Sequence, residues 1–129
     1  MTSWTTDQLA TLGHQVEIDI APTRADGTSA PDRPIWIVAV DGNLYIRSYH
    51  GPDGAWYRQA RRTRRAHITA AGANYDVTLT PDDIDPAAID AAYRDKYTRH
   101  GRSYVDAMVT PGAAATTLRV DPTSKENPV

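Results

Sequence analysis

The stretch Tyr45-Ile-Arg-Ser-Tyr-His-Gly-Pro-Asp-Gly-Ala-Trp-Tyr-Arg-Gln-Ala-Arg-Arg-Thr-Arg-Arg65 decides how this chain is read. It predicts the end of a strand, a tight turn holding Gly51 and Gly54, and a short arginine-rich helix, in that order. Six of the fourteen basic residues fall in it, Arg47, Arg58, Arg61, Arg62, Arg64 and Arg65, against Asp53 as its one acid. The stretch carries plus five, so the rest of the chain carries minus seven to reach the total of minus two. Such a field draws an anion to one place without making the protein basic as a whole. A helix N-terminus adds free N–H groups, and a guanidinium can donate two parallel hydrogen bonds to a phosphate. The same residues also suit a solvated helix face with cations near its C-terminus, and the pattern alone leaves both readings open.

Upstream, residues 43–49 alternate between Leu44, Ile46, Ser48 and Tyr45, Arg47, Tyr49, which predicts a strand whose second face carries an arginine between two tyrosines. Asp41-Gly42 joins it by a tight hairpin turn to an apolar strand at 35–40. Before that, residues 22–34 hold three prolines and no apolar periodicity, a loop long enough to cover something. A strand at 16–21 and a short first helix with Thr6 as its cap and Gly13 near its end complete the N-terminal part.

Downstream, residues 66–70 and 73–80 form a second hairpin around Ala71-Gly72. Two hairpins suggest a small barrel. Asp85 as cap and Pro86 at the first helical position open a helix with Ile89, Tyr93 and Tyr97 on one face and Gly101 after its end. Ser103 and Asp106 resemble a capping box for one more short helix, which Pro111 stops. Residues 115–120 close the sheet, and residues 121–129 read as a disordered polar tail beyond a single domain over 1–120.

Composition excludes several classes of chemistry. At 129 residues the chain can bury a core without crosslinks. It has no cysteine, which removes disulfides, thiolate catalysis and cysteine-based zinc sites. His14, His50, His67 and His100 show no metal-ligand spacing, so no metal site is expected. No stretch approaches a membrane span, and a pI near 6.0 speaks against general nucleic-acid binding. The expected location is the cytoplasm.

At residues 44–58, again at Gly72-Ala-Asn-Tyr-Asp-Val-Thr78 and at Ile89-Asp-Ala-Ala-Tyr-Arg-Asp-Lys-Tyr97, the chain resembles a bacterial family of unknown function akin to the split β-barrel flavin-binding and deazaflavin-binding proteins. The resemblance runs from about Trp4 to Val120 and implies a mainly β split barrel of about six strands, with one or two C-terminal helices. It implies a homodimer that holds a cofactor phosphate between subunits. By that likeness Arg47, Ser48, Gly51, Trp56, Tyr57, Arg58 and Arg61 would bind the phosphate and ring of FMN or a deazaflavin coenzyme. Residues 61–65 replace the asparagine, leucine and proline that many deazaflavin-dependent relatives carry, so the likeness does not choose the cofactor.

Tyr49 and His50 are the candidate catalytic groups, since an imidazole titrates near neutral pH and a phenol can donate a proton beside it. Tyr45, Tyr97 and Tyr104 are candidate substrate-pocket residues, as tyrosines stack on aromatic rings. Core packing is the rival reading for each aromatic residue, and backbone bonding for His50. The expected function is a flavin-type or deazaflavin-type oxidoreductase acting on a small organic substrate, aromatic ones included. The alternatives are a cofactor-free isomerase, cyclase or lyase using the same groove, and a noncatalytic ligand-binding module.

Overall fold

Trp36 and Ile37 are the whole link between two strands that lie at opposite edges of one seven-stranded sheet. The computed structural model describes residues 4–123. Its strands are β1 (Ile18–Pro22), β2 (Arg33–Ile35), β3 (Val38–Val40), β4 (Asn43–Ile46), β5 (Arg65–Ala70), β6 (Ala73–Pro81) and β7 (Leu118–Pro122), all antiparallel, in the order β2-β1-β5-β6-β7-β4-β3. Seven flat strands at about 4.8 Å per step would hold the edges roughly 29 Å apart. Three Cα steps from Ile35 to Val38 reach about 11 Å at most. The sheet therefore curls until its edges approach each other, and the protein is a mainly β half-barrel with helical additions. Its seam is the Trp36-Ile37 link.

The inner face of the curl is filled by Ile18, Ile20, Leu44, Ile46, Ile68, Leu79 and Val120, each worth about 1.5–3 kcal/mol of burial. Helix α1 (Thr6–His14) precedes β1, and Trp4 ahead of it donates its indole N–H to Val120 O at 2.7 Å. Helix α2 (Ala55–Thr63) lies between β4 and β5; α3 (Pro86–Tyr97), α4 (Arg102–Met108) and α5 (Pro111–Ala114) are threaded between β6 and β7. A second core of Val38, Tyr45, Ile89, Tyr93, Tyr97, Val105 and Met108 fills the space under α3 and α4. Strand β4 is thus buried on both faces, Leu44 and Ile46 inward and Tyr45 beneath the helices.

Several expectations from sequence hold. Both two-residue hairpin turns form, with Asp41, Gly42, Ala71 and Gly72 all at positive φ, and Asp85 and Pro86 open α3 as expected. Others need correction. Thr5, not Thr6, caps α1, in a capping box with Gln8 that Thr6 is one residue too late to make. The apolar run at 35–40 is two strands, because the chain changes edges at its middle. On α2 it is Tyr57 and Ala60 that are buried, while Trp56 is half-buried. Gly101 caps α4 where Ser103 was expected to. Loop 22–34 does not cover a site. It folds on itself through Asp26 to Thr28 and Arg24 to Ser29 O at 3.0 Å, and only its Arg33-Pro34 end reaches a cleft. Asp121 and Pro122, read as the start of a tail, pair with Thr78 and Val77 in β7; residues 124–129 of that expected tail lie outside the described residues.

Candidate functional site: an aromatic cleft at the sheet seam

A cleft of about 630 Å³ opens where β2 and the seam meet the turn before α2 and the start of α4. Trp36 and Trp56 form two of its walls, and Tyr49, His50, His100 and Tyr104 stand at its rim. Tyr49 lies edge-on to His50 with ring centres 5.1 Å apart, and 6.2 Å from Tyr104. Trp36 is held in place from behind: its ring stacks on Tyr97 at 3.9 Å with planes parallel to 1°. Tyr97 is in turn fixed by its hydroxyl, which accepts from Ile37 N–H at 3.1 Å and donates to Val16 O at 2.7 Å. Burial pushes that phenol up to about 12, so it stays a neutral donor.

The exposed large apolar side chains among the described residues are Val16, Tyr49 and Tyr104, at 47%, 45% and 54%, and all three line this cleft. Apolar surface left open in one place makes this cleft the candidate site.

Beneath the cleft Arg47 is 1% exposed. Its guanidinium donates to Asp90 Oδ1 at 2.5 Å, Thr117 Oγ1 at 2.9 Å, Met108 O at 2.9 Å and Pro86 O at 3.3 Å. It also lies 5.7 Å over the Tyr93 ring, whose hydroxyl is buried and has no partner among the described residues. Burial pushes the Tyr93 phenol far above its ordinary value. A guanidinium with four protein acceptors ties β4 to α3, α4 and the chain before β7; only one face of the side chain borders the cleft.

Ser48 is likewise buried. Its N–H donates to Thr116 Oγ1 at 2.8 Å, while its Oγ has no partner among the described residues. That oxygen is packed against Gly54, the residue before α2, so closely that a Cβ on Gly54 would fall on it. Helix α2 has no side-chain cap, and Trp56, its second residue, lines the cleft. The uncapped start of α2 thus reaches one corner of the cleft through Trp56, while the Ser48 hydroxyl is enclosed and lies outside the lining. Gly51, at φ 68°, makes the turn between them, and its own N–H goes to Ser48 O at 3.0 Å.

Of the residues singled out from sequence, the structure brings Arg47, Tyr49, His50, Trp56 and Tyr104 to the cleft. It does not bring Tyr45, Ser48, Gly51, Tyr57, Tyr97, Arg58 or Arg61 to the lining. Tyr45 is 2% exposed and its hydroxyl faces Asp82 at 3.5 Å; burial first, then that carboxylate, raises it. Tyr57 is in the barrel core. Arg58 and Arg61 are exposed on α2 and have no ion pair among the described residues. Sequence reasoning missed Arg33, Trp36 and His100. Trp36 stands in an apolar run that reads as a single strand, and none of the three gave a signal short of the topology. Among the described residues no three His, Cys, Asp or Glu side chains gather as metal ligands. No helix there is long and apolar enough to cross a membrane.

Residues 8–120 match the family model described as "Uncharacterized protein conserved in bacteria (DUF2255)". The chain belongs to this family. No curated protein sequence matches this family member. Solved structures share its fold at low identity. The heme storage protein HutZ from Vibrio cholerae superposes with a TM-score of 0.63 at 10% identity, over 95% of this chain and 92% of that one. A protein described as F420 reductase gives 0.53 at 19%, over 90% and 93%. A putative pyridoxamine 5'-phosphate oxidase from Listeria innocua gives 0.52 at 10%, over 89% and 88%. For this DUF2255 chain the likeness establishes the split-barrel fold.

The walls of the cleft are aromatic, the uncapped start of α2 reaches it at Trp56, and Arg33 stands at the edge.

Proposed function

We propose that this protein is an oxidoreductase that binds a flavin-type or deazaflavin-type cofactor in the seam cleft and acts on a small organic substrate. The observation that carries this reading is the gathering of Trp36, Tyr49, Trp56 and Tyr104 around one volume of about 630 Å³ at the uncapped end of α2. It is supported by structural neighbours described as an F420 reductase and a putative pyridoxamine 5'-phosphate oxidase. In this reading Trp36 and Trp56 flank the ring system, and the first turn of α2 with Arg33 holds the phosphate. Bound there, such a cofactor supplies hydride transfer. Tyr49 and His50, both exposed at the rim, donate or accept a proton at the substrate, and Tyr104 shields the opposite side. Arg47 anchors the floor. A second copy of the chain covers the open Val16, Tyr49 and Tyr104 surface, completing the site as a homodimer.

One observation favours the second reading, a cofactor-free enzyme working through Tyr49 and His50. The arginines that would clamp a phosphate are divided between a buried cage and an outer helix face.

Titration with FMN and with deazaflavin coenzyme, followed by fluorescence at physiological salt, separates the two. The first reading expects saturable binding that Trp56→Ala weakens at least tenfold and Arg33→Ala weakens about threefold or more, while Arg58→Ala with Arg61→Ala leaves it nearly intact. Loss of binding in the double variant returns the phosphate to the helix face. No binding of either cofactor rejects the oxidoreductase reading.

A further inference from the structure

The chain carries twelve arginines and two lysines, Lys96 and Lys125, so a primary amine is rare in it. Lys96 is the one lysine among the described residues, and it sits near the end of α3 in a setting unlike that of a surface lysine. It lines a second cleft of about 540 Å³, walled by Leu9 and Ala10 of α1, Val38 of β3 and Ala92 of α3. Its Nζ donates to Ile37 O at 2.5 Å and lies 4.9 Å over the Tyr97 ring. No carboxylate among the described residues forms an ion pair with it. The charged or titratable groups that share this cleft are His14, Asp41 and Asp95, all exposed.

We propose that Lys96 is an acylation site: its amine takes a small acyl group from an activated donor, an acyl phosphate or a thioester, and the amide formed occupies the second cleft.

Three features of the geometry support this. Lys96 lines a cavity large enough for a short acyl chain, with apolar walls on three elements. Its one hydrogen bond to protein goes to a carbonyl oxygen, Ile37 O, which the N–H of an amide can satisfy as well as an ammonium does. Neutralising the group strands no carboxylate, since none is paired with it, and relieves the cost of holding a charge partly out of water. Burial already works in the same direction, lowering Lys96 from its ordinary value to about 8 and leaving a usable share of neutral amine near neutral pH. In the reaction the amine lone pair attacks the acyl carbon and a C–N bond forms. The acyl C–O or C–S bond breaks, the electron pair leaves with phosphate or thiolate, and the amine proton passes to solvent.

Lys125 gives an internal reference. The native full chain is incubated at pH 7.5 with acetyl phosphate and, separately, with acetyl-coenzyme A, and acetylation at each lysine is followed by peptide mass spectrometry. The neutral fraction favours an amine at about 8 over an ordinary lysine by roughly a hundredfold, and its lower basicity gives part of this back. The expected native ratio of Lys96 to Lys125 is therefore about ten times the ratio in urea-denatured chain. The donor that produces it identifies the source of the acyl group. A native ratio equal to or below the denatured ratio with both donors overturns the proposal.

Discussion

Arg47 and the arginines of α2 come from one basic stretch of sequence and end in opposite circumstances. Arg47 is enclosed, with Asp90, Thr117 and two carbonyls around its guanidinium. Arg58, Arg61 and Arg62 are exposed and have no ion pair among the described residues. The difference is made by what covers each position. Strand β4 runs under α3 and α4, so its outward residues enter a second core; α2 packs by Tyr57, Ala60 and part of Trp56 and leaves its arginine face to water. Charge density along a sequence says where a field can arise, and topology says which of its members are free to use it.

The comparison can be broken most directly at Arg47. Arg47→Met strands Asp90 and three other acceptors in a partly dry space, so unfolding by urea should show a loss of about 3–5 kcal/mol. A loss under about 1 kcal/mol would mean that the cage is not structural. A smaller effect belongs to the corner between them. Gly54→Ala drives a methyl into Ser48 Oγ and should cost about 1–3 kcal/mol. Adding Ser48→Ala removes the oxygen and should restore most of it, because Ser48 Cβ lies at an ordinary 3.5 Å from the new methyl. Absence of that rescue in a double-mutant cycle would place the strain elsewhere. The smallest effect is expected on α2, where Arg58→Ala with Arg61→Ala should shift stability by about 0.5 kcal/mol or less. A larger loss would give those side chains a structural partner and erase the contrast.

The fold was legible from sequence wherever one local rule decided the geometry. Asp41-Gly42 and Ala71-Gly72 announced hairpins, and Asp85-Pro86 announced α3, because positive φ and a fixed proline φ are properties of single residues. The alternation at 44–49 was read in the right phase. Its second face was not seen to be buried, since no local rule reveals that helices from residues 86–108 return to cover it. Trp36 was hidden for a related reason: the apolar run around it looks like one strand, and the change of edge between Ile35 and Val38 exists only in three dimensions. The cleft was therefore half legible. Its rim at Tyr49, His50 and Trp56 follows the glycine turn, whereas its far wall depends on the seam.

Strand β7 lies in the interior of the sheet, between β6 and β4, although it is the last strand in order among the described residues. During synthesis the growing polypeptide can form its two hairpins and α3 but has a gap at the middle of the sheet until residues 118–122 have left the ribosome. Assembly must then bring β7 back against Leu44 and Leu79, contacts of long sequence separation that fold slowly. A nascent or truncated chain lacking those five residues exposes two unpaired strand edges together, which makes it a ready substrate for chaperones and proteases.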